Sequence, residues 1–375
     1  GVLWSEPRNA GFIAANITAR LGYKPSKYFQ FETGIDNHFV GDGRHSVFLG
    51  SENTPHPFGQ ISTSFWKIDY AVVYHLLNDI RWPSTDKTYR KYMTSHQLNI
   101  KLHRTLNIYI YEAVIWKAED SITNRGYDLS YLNPIIFFRP VEFNLGNPSP
   151  DNVLMGIGGR WQPRQWLRLY GQALIDEFYL KELKARNGWW ANKFAMQAGI
   201  ALKTGMNNHF FNFRGEFNMA RPYTYSHIQS MQNYGSSFYP LAHPLGANFR
   251  EVLFQADWRY KRLSLFLQMA FVGVGVDKEN ENLGQNIYRS YTDRQSEYGH
   301  EWLQGNLQEN LVGELRVSYV LNEPSNLTIS TGVRRISQFV TEGLAAGEFN
   351  QVYVRLATFL TPTQKQLYNT STLFR

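Results

Sequence analysis

The chain has no cysteine, which excludes disulfides, thiolate metal sites and cysteine nucleophiles. It has no uninterrupted apolar stretch approaching the roughly 18 residues that a membrane-crossing helix needs, and its mean hydropathy is −0.40. Neither fact bears on a membrane β-barrel, whose strands are apolar only at alternate positions, so that averaging erases their signal. Catalytic signatures are missing too. "GHEWLQG" (299–305) lacks the second histidine of a zinc-protease helix. "MGIGGRW" (155–161) places its glycines inside a strand pattern rather than ahead of a helix, so it eases strand curvature and is no phosphate cradle. Asp176 and Glu177 are adjacent, and strand neighbours face opposite sides, which forbids an acid–base pair. His75 and His96 sit on strands with no Ser/His arrangement legible around them. No catalytic residue, metal or cofactor is expected.

What the chain does have is alternation and aromatic rings, which make up 15% of its 375 residues. In "REVLFQADWRYKRLSLFLQMAFVGV" (250–274), Val252, Phe254, Ala256, Trp258 and Tyr260 alternate with Glu251, Gln255, Asp257 and Arg259. Past a tight turn, Leu263, Leu265, Leu267, Met269 and Phe271 line one face, with Ser264 and Gln268 on the other. This is a hairpin with one oily and one polar face. The pattern recurs from residues 11–22 to 349–360. On the polar parity fall Arg20, Glu32, Lys101, Arg160, Arg168, Asp176, Lys203, Arg214, Glu216, Glu251, Asp257, Glu314, Arg316, Arg334 and Arg355. Charges of both signs suit a wet lumen and not a dry core. Trp161, Trp258 and Tyr260 close the oily face at its turn end, where an interfacial aromatic girdle belongs. The apolar face, with Leu263, Leu265 (near mid-span), Leu267, Phe211 and Phe213, therefore looks outward to lipid.

Connections alternate in length. Short turns fall near 22–27, 66–69, 103–105, 162–165, 203–209, 259–262 and 322–326, and long segments lie between them. Short periplasmic turns and long extracellular loops are the build of a transmembrane antiparallel outer-membrane β-barrel, an all-β fold. Counting gives 16 strands if "GVLWSEP" (1–7) pairs with 11–22, or 18 if a further hairpin lies in 118–151. Residues 1–360 form the barrel and 361–375 a C-terminal periplasmic tail. Both faces of 107–117 carry large apolar residues, which leaves that segment ambiguous. The expected location is the outer membrane of a Gram-negative bacterium, in contact with lipid and lipopolysaccharide and with no nucleic-acid partner.

Segments 118–151, 221–248 and 275–309 are expected to fold into or over the extracellular mouth. Candidate ligand contacts there are Trp189, Trp190, Arg221, Tyr223, Tyr225, His227, Tyr234, Tyr239, His243 and Arg250. Aromatic faces stack on sugar rings, and cations and amides bind carboxylates and hydroxyls. The same residues also brace a barrel mouth or enrich a protein interface. The net charge of +7 suits anionic polymers or lipid headgroups.

"FVGDGRHSVFLGSENTPHPFGQIS", "LSYLNPIIFFRPVEFNLGNPSPDNVLMGI", "YGQALIDEF" and "RPYTYSHIQSMQNYGSSFYPLAHPLGANFRE" resemble the Wzi-type capsule-assembly family, and within it the branch found in gliding bacteria with the type 9 secretion system. The resemblance runs from about residue 28 to 360. It implies an outer-membrane barrel, a lectin for exported polysaccharide in the capsule prototype and a component linked to motility and secretion machinery in the gliding branch. The prototype's N-terminal helical bundle is not evident, which favours the gliding branch. The expected function is thus a non-enzymatic barrel serving as an accessory component of an envelope machine, with protein partners, or attaching acidic surface polysaccharide (capsule). The alternative is a passive or substrate-selective porin.

Overall fold

The computed structural model describes residues 2–4, 14–79, 89–118, 126–133, 151–340 and 347–358. In chain order the elements are β1 (Val2–Trp4), β2 (Ala14–Asn16), β3 (Ala19–Tyr23), β4 (Phe29–Asp36), β5 (His56–Phe65), β6 (Ile68–Asp79), β7 (Tyr89–His103), β8 (Leu106–Lys117), β9 (Asn152–Arg164), β10 (Leu167–Glu177), α1 (Leu180–Ala185), β11 (Lys193–Met206), β12 (His209–Ala220), β13 (Gly235–Ser236), β14 (Tyr239–Pro240), β15 (Phe249–Tyr260), β16 (Leu263–Val276), β17 (Asn306–Asn322), β18 (Leu327–Val340) and β19 (Gly347–Ala357). Fifteen of these strands, β3 to β19 without the small β13–β14 ribbon, form one antiparallel sheet in which each strand pairs with the next in sequence. β1 pairs with β2, as expected of "GVLWSEP". The expected strand 11–22 is interrupted at Ile17–Thr18. Among the described residues no ladder joins β19 back to β1 or β3. The postulated hairpin in 118–151 falls mostly outside the described residues, as does the tail 361–375.

Turn chemistry sets the register. Asn207 and Asn208 join β11 to β12 with φ of 50° and 66°, the left-handed pair that a two-residue hairpin of matching twist requires. The ladder then keeps side-chain parity across the sheet. Arg214 pairs with Gln255, Gln255 with Gln268, Gln268 with Glu314, and Glu314 with Arg334. Because directly paired residues share a face, all fifteen charged positions of the polar parity lie on one side of the sheet. That side is the inner one, since loops pack on it. The other side exposes Ile157, Ile200, Phe217, Phe254, Phe271, Val317 and Val333, an apolar surface far too continuous for water. The fold is therefore an all-β outer-membrane barrel with its oily face outward. Leu265 is the third residue of β16, close to the 261–262 turn. It lies at the periplasmic edge rather than at mid-span, which Met269 occupies.

One segment departs from expectation. Residues 126–133 do not enter the mouth; they lie on the outward face of β6–β9. The Tyr74 hydroxyl donates to the Leu132 carbonyl at 3.0 Å, Trp116 Nε1 donates to the Gly126 carbonyl at 3.3 Å, and Tyr127 and Thr94 hydroxyls meet at 3.0 Å. Trp116, Tyr131, Val114 and Val153 form a cluster of their own there. The reason is chemical: three outward side chains of this wall, Tyr74, Tyr92 and Trp116, are large rings, and Tyr127 and Tyr131 find ring partners among them. The ambiguity of 107–117 resolves in the same way, because both faces of β8 are covered, the inner by loops and the outer by this excursion.

Candidate functional site: a loop plug in the lumen

The long loop between β4 and β5, residues 37–55, turns into the barrel. A bridge between Val40 and Leu49 closes it, and Val47, Phe48 and Leu49 are almost wholly buried. Wall side chains from four strands hold it, three of them through its backbone. Gln172 on β10 donates to the Val40 carbonyl at 2.8 Å and accepts from the Val47 N–H at 2.9 Å. Glu216 on β12 accepts from the N–H groups of Arg44 at 2.7 Å and His45 at 3.2 Å. Gln197 on β11 donates to the His45 carbonyl at 2.8 Å. On β9 and β10, Arg160 and Arg168 sit 3.2 and 3.6 Å from Asp42. A loop buried inside a protein must have its amides and carbonyls bonded, and here the inward polar parity supplies the partners.

Packing completes the plug. The Phe48 ring stacks on Tyr111 with centroids 5.2 Å apart and rests on Gly156, where a Cβ would collide with it. Gly158 makes the same room for Tyr109. The glycines of "MGIGGRW" thus seat rings, a role beyond the curvature expected of them. The 221–248 loop enters beside the plug, as expected. The Gly50 N–H donates to the Leu241 carbonyl at 2.7 Å, and the Tyr225 hydroxyl donates to the Val47 carbonyl at 2.8 Å. The result is a dry core of Val47, Phe48, Leu77, Leu154, Tyr225 and Phe249 inside the extracellular half of the lumen. The charged parity implies a wet lumen, and this core confines it to the part below the plug.

Glu177 also needs correcting. The ladder shifts between Ile175 and Glu177, and this bulge turns Glu177 to the same side as Asp176. Both carboxylates lie 3.1 Å from Lys193 Nζ. Lys193 in turn donates to the Ser226 carbonyl at 3.0 Å, and Asp176 accepts from the Tyr225 N–H at 2.8 Å. The group anchors the 221–248 loop.

Six of the ten candidate mouth residues are buried within these loops. Tyr223 donates to the Asn282 carbonyl at 2.9 Å, the Tyr234 hydroxyl meets that of Tyr111 at 2.6 Å, and Trp190 donates to Glu297 at 2.8 Å. His243 Nε2 bonds Glu251 at 3.0 Å. Tyr225 holds the plug, and His227 Nδ1 accepts from the Gln229 N–H at 3.3 Å. Burial pushes His227 down to about 3. Four keep solvent access. Tyr239 is exposed, Trp189 is half-buried against Tyr179, and Arg221 and Arg250 flank the Trp302 ring at 5.8 and 5.0 Å. His45 lies beside His243, with ring centroids 4.5 Å apart, and burial pushes it down to about 4.

Below the plug the lumen changes character. A cavity of about 800 Å³ at the periplasmic end is lined by Lys203, Asp257, Arg259, Arg316, Phe210 and Phe266 among others. Arg316 lies over Phe266 at 4.4 Å and Arg259 over Phe210 at 5.1 Å. Arg214 and Glu314 face the same space, with Glu314 accepting from the Tyr353 hydroxyl at 2.7 Å. Arg20 pairs with Asp36 at 2.7 Å and Lys101 with Asp69 at 2.7 Å, at the wall of the other flank. Glu32, Arg334 and Arg355 share the inner parity there. The vestibule is a basic, aromatic-braced chamber closed above by the plug.

The plug loop itself was the residue set that alternation missed. Its signal is a pair of apolar runs, Phe39–Val40 and Val47–Leu49, inside a long, otherwise mainly polar connection. No family model matches the chain, and no curated protein matches its sequence. Its fold is similar to that of solved outer-membrane barrels. Wzi of Escherichia coli, described as an outer membrane protein involved in group 1 capsule assembly and a carbohydrate-binding β-barrel, superposes with a TM-score of 0.61 at 13% identity, over 92% of this chain and 69% of that one. OprD of Pseudomonas aeruginosa reaches a TM-score of 0.45 at 12% identity, over 94% of this chain and 81% of that one.

Proposed function

We propose that this protein is a non-enzymatic barrel with a closed lumen that works through its extracellular surface in building the cell envelope. The observation that carries the reading is the plug. Residues 40–49 are held by side chains of four wall strands and packed in an apolar core, which supports a structural closure over a constriction loop above a wet bore. A barrel so filled has no use as a diffusion path, so its function lies in what it holds. Attachment of acidic surface polysaccharide is supported by the fold it shares with a carbohydrate-binding capsule barrel and by the accessible Trp189, Tyr239, Arg221 and Arg250. Service as an accessory subunit of a gliding or type 9 secretion machine is supported by the resemblance of the loop motifs. It is supported further by the burial of most mouth aromatics, which leaves few rings to stack on sugar.

Planar-bilayer recording of the intact protein tests the closure: little steady conductance is expected, and large stable channels would return the porin reading. Native purification in mild detergent separates the two roles. Binding of an acidic polysaccharide that falls steeply with salt supports attachment. A stoichiometric protein partner that survives physiological salt supports the machine.

A further inference from the structure

The base of the plug loop carries a histidine cluster. His38 opens the loop, His56 begins β5, and His75 lies on the inner face of β6. All three are buried, and one ring nitrogen of each lies within 4.8 Å of the others. His56 Nε2 and His75 Nδ1 are 2.9 Å apart. Each of these rings has an outer partner: His56 Nδ1 meets the Thr54 carbonyl at 3.1 Å, and His75 Nε2 meets the Ser95 hydroxyl at 3.0 Å. His38 differs. Neither of its ring nitrogens makes a well-formed hydrogen bond among the described residues, and the polar side chain beside it, Gln60, gives its amide N–H to Ser62 at 2.8 Å. It is only 6% exposed and is wedged edge-on against Phe58 and His75, with ring centroids 4.4 and 5.0 Å away.

Burying an imidazole with both nitrogens unbonded is costly, and the cost falls if one of them has a ligand. The two outer partners suit that outcome. A carbonyl only accepts, so His56 carries its proton on Nδ1 and presents a lone pair at Nε2. Ser95 can give or take a proton, so His75 can place its own on Nε2 and free Nδ1. Ligating histidines are commonly oriented this way, by a bond from the other nitrogen. Two nitrogens on one tetrahedral zinc stand about 3.3 Å apart, from Zn–N bonds of about 2.05 Å, close to the separation already present. Arg20, a cation near the cluster, is paired with Asp36 at 2.7 Å. The second acid–histidine group of the lumen is different in kind. There His243 bonds Glu251 through Nε2 and accepts from the Leu245 N–H through Nδ1 at 3.3 Å, so the His243 ring has no lone pair left for an ion. The Ser95–His75 contact is likewise no hydrolytic pair: both residues are buried, and the ring's other nitrogen faces His56 rather than a carboxylate.

We propose that His38, His56 and His75 bind one borderline transition-metal dication, zinc or copper by the softness of three imidazoles, as a clasp that fastens the first turn of the plug loop to the barrel wall. The sequence suggested no metal, because its three ligands are spread over a loop and two strands that only the folded sheet brings together. The inference is independent of what the extracellular surface binds.

The test uses the intact barrel in detergent, stripped with a chelator. Calorimetry with Zn²⁺ is expected to show one equivalent bound. Affinity should fall at least 100-fold in His38→Ala and be unchanged in His103→Ala, whose histidine lies at a periplasmic turn. Zinc should raise the melting temperature of the parent and not of His38→Ala. Should the variant fail to fold, Cu²⁺ bound to the parent protein decides, since its electron paramagnetic resonance must show nitrogen coupling from imidazoles. Absence of saturable binding, undiminished binding in His38→Ala, or an oxygen-only copper spectrum would each overturn the proposal.

Discussion

Along β15 the inward positions run Phe249, Glu251, Leu253, Gln255, Asp257 and Arg259. The first three are buried against loops, and Asp257 and Arg259 line the periplasmic cavity. β16 repeats the change in reverse, from Phe266 and Gln268 beside that chamber to Ala270, Val272 and Val274 in the core. One strand face, read at one parity, is thus mainly polar at the bottom and mainly apolar at the top. Strand alternation only says which residues point inward. Whether inward means wet or dry depends on what the long loops bring into the lumen, and the loops enter from one end.

The sharpest way to break this contrast is to remove the plug. Replacing residues 40–49 by a short glycine–serine link should leave the wall strands folded, because each pairs with its sequence neighbour. It should convert a barrel of negligible conductance into one with steady open channels. Channels of equal size before and after the deletion would mean that the upper half is not sealed in solution.

Next come two phenylalanines facing the same lumen at different heights. Phe48→Ala empties a site between Tyr111 and Gly156 and should cost about 3–5 kcal/mol by urea unfolding in detergent. Phe266→Ala loses mainly a contact with Arg316 and should cost about 1 kcal/mol. Similar costs would show that the lower chamber is as closely packed as the upper. The outer face supplies a control that the contrast should not touch. Met269→Arg near mid-span should cost about 2–4 kcal/mol, and Leu265→Arg near the periplasmic interface about 0–1 kcal/mol. An equal charge at the inward Gln268 should be tolerated.

Most of the wall was legible in the sequence. Period-two alternation put all fifteen charged positions on one face, and the order of short turns and long loops gave the direction of each strand of the fifteen-stranded sheet. The loops were legible only as long. Composition marks Tyr223, Tyr225, Tyr234 and His243 as binding groups and as packing groups alike, and only the fold shows their hydroxyls and ring nitrogens already bonded within the protein. Segment 126–133 went to the outer wall because ring-on-ring contacts with Trp116 and Tyr92 outweigh any preference for the mouth, and nothing in one sequence ranks such alternatives. The Asp176–Glu177 bulge escaped for a simpler reason: strict alternation assumes an unbroken ladder.

The finest test of the contrast is acid. In the dry half, His45 faces Glu251 across the wall at 3.7 Å, Glu52 of its own loop at 3.7 Å and His243 beside it, with Arg44 as its neighbour in the chain. Burial holds it down to about 4, against 6.5 for an ordinary histidine. A released plug loop therefore binds a proton between those two values while the docked loop does not. Stability follows the difference in bound protons, so docking is at full strength above pH 6.5 and weakens as pH falls toward 4. At about 1.4 kcal/mol per pH unit, the loss by pH 4 is on the order of 3 kcal/mol. Protease cleavage within 37–55, or the frequency of channel openings, should rise over that window and not between pH 7 and 8. His45→Gln keeps the backbone bonds to Glu216 and Gln197 and should flatten the response. A plug that docks more tightly at pH 5 than at pH 7 would mean that Glu251 and Glu52 stabilise a charged His45 in place, and the upper half of the lumen would then be as wet as the lower.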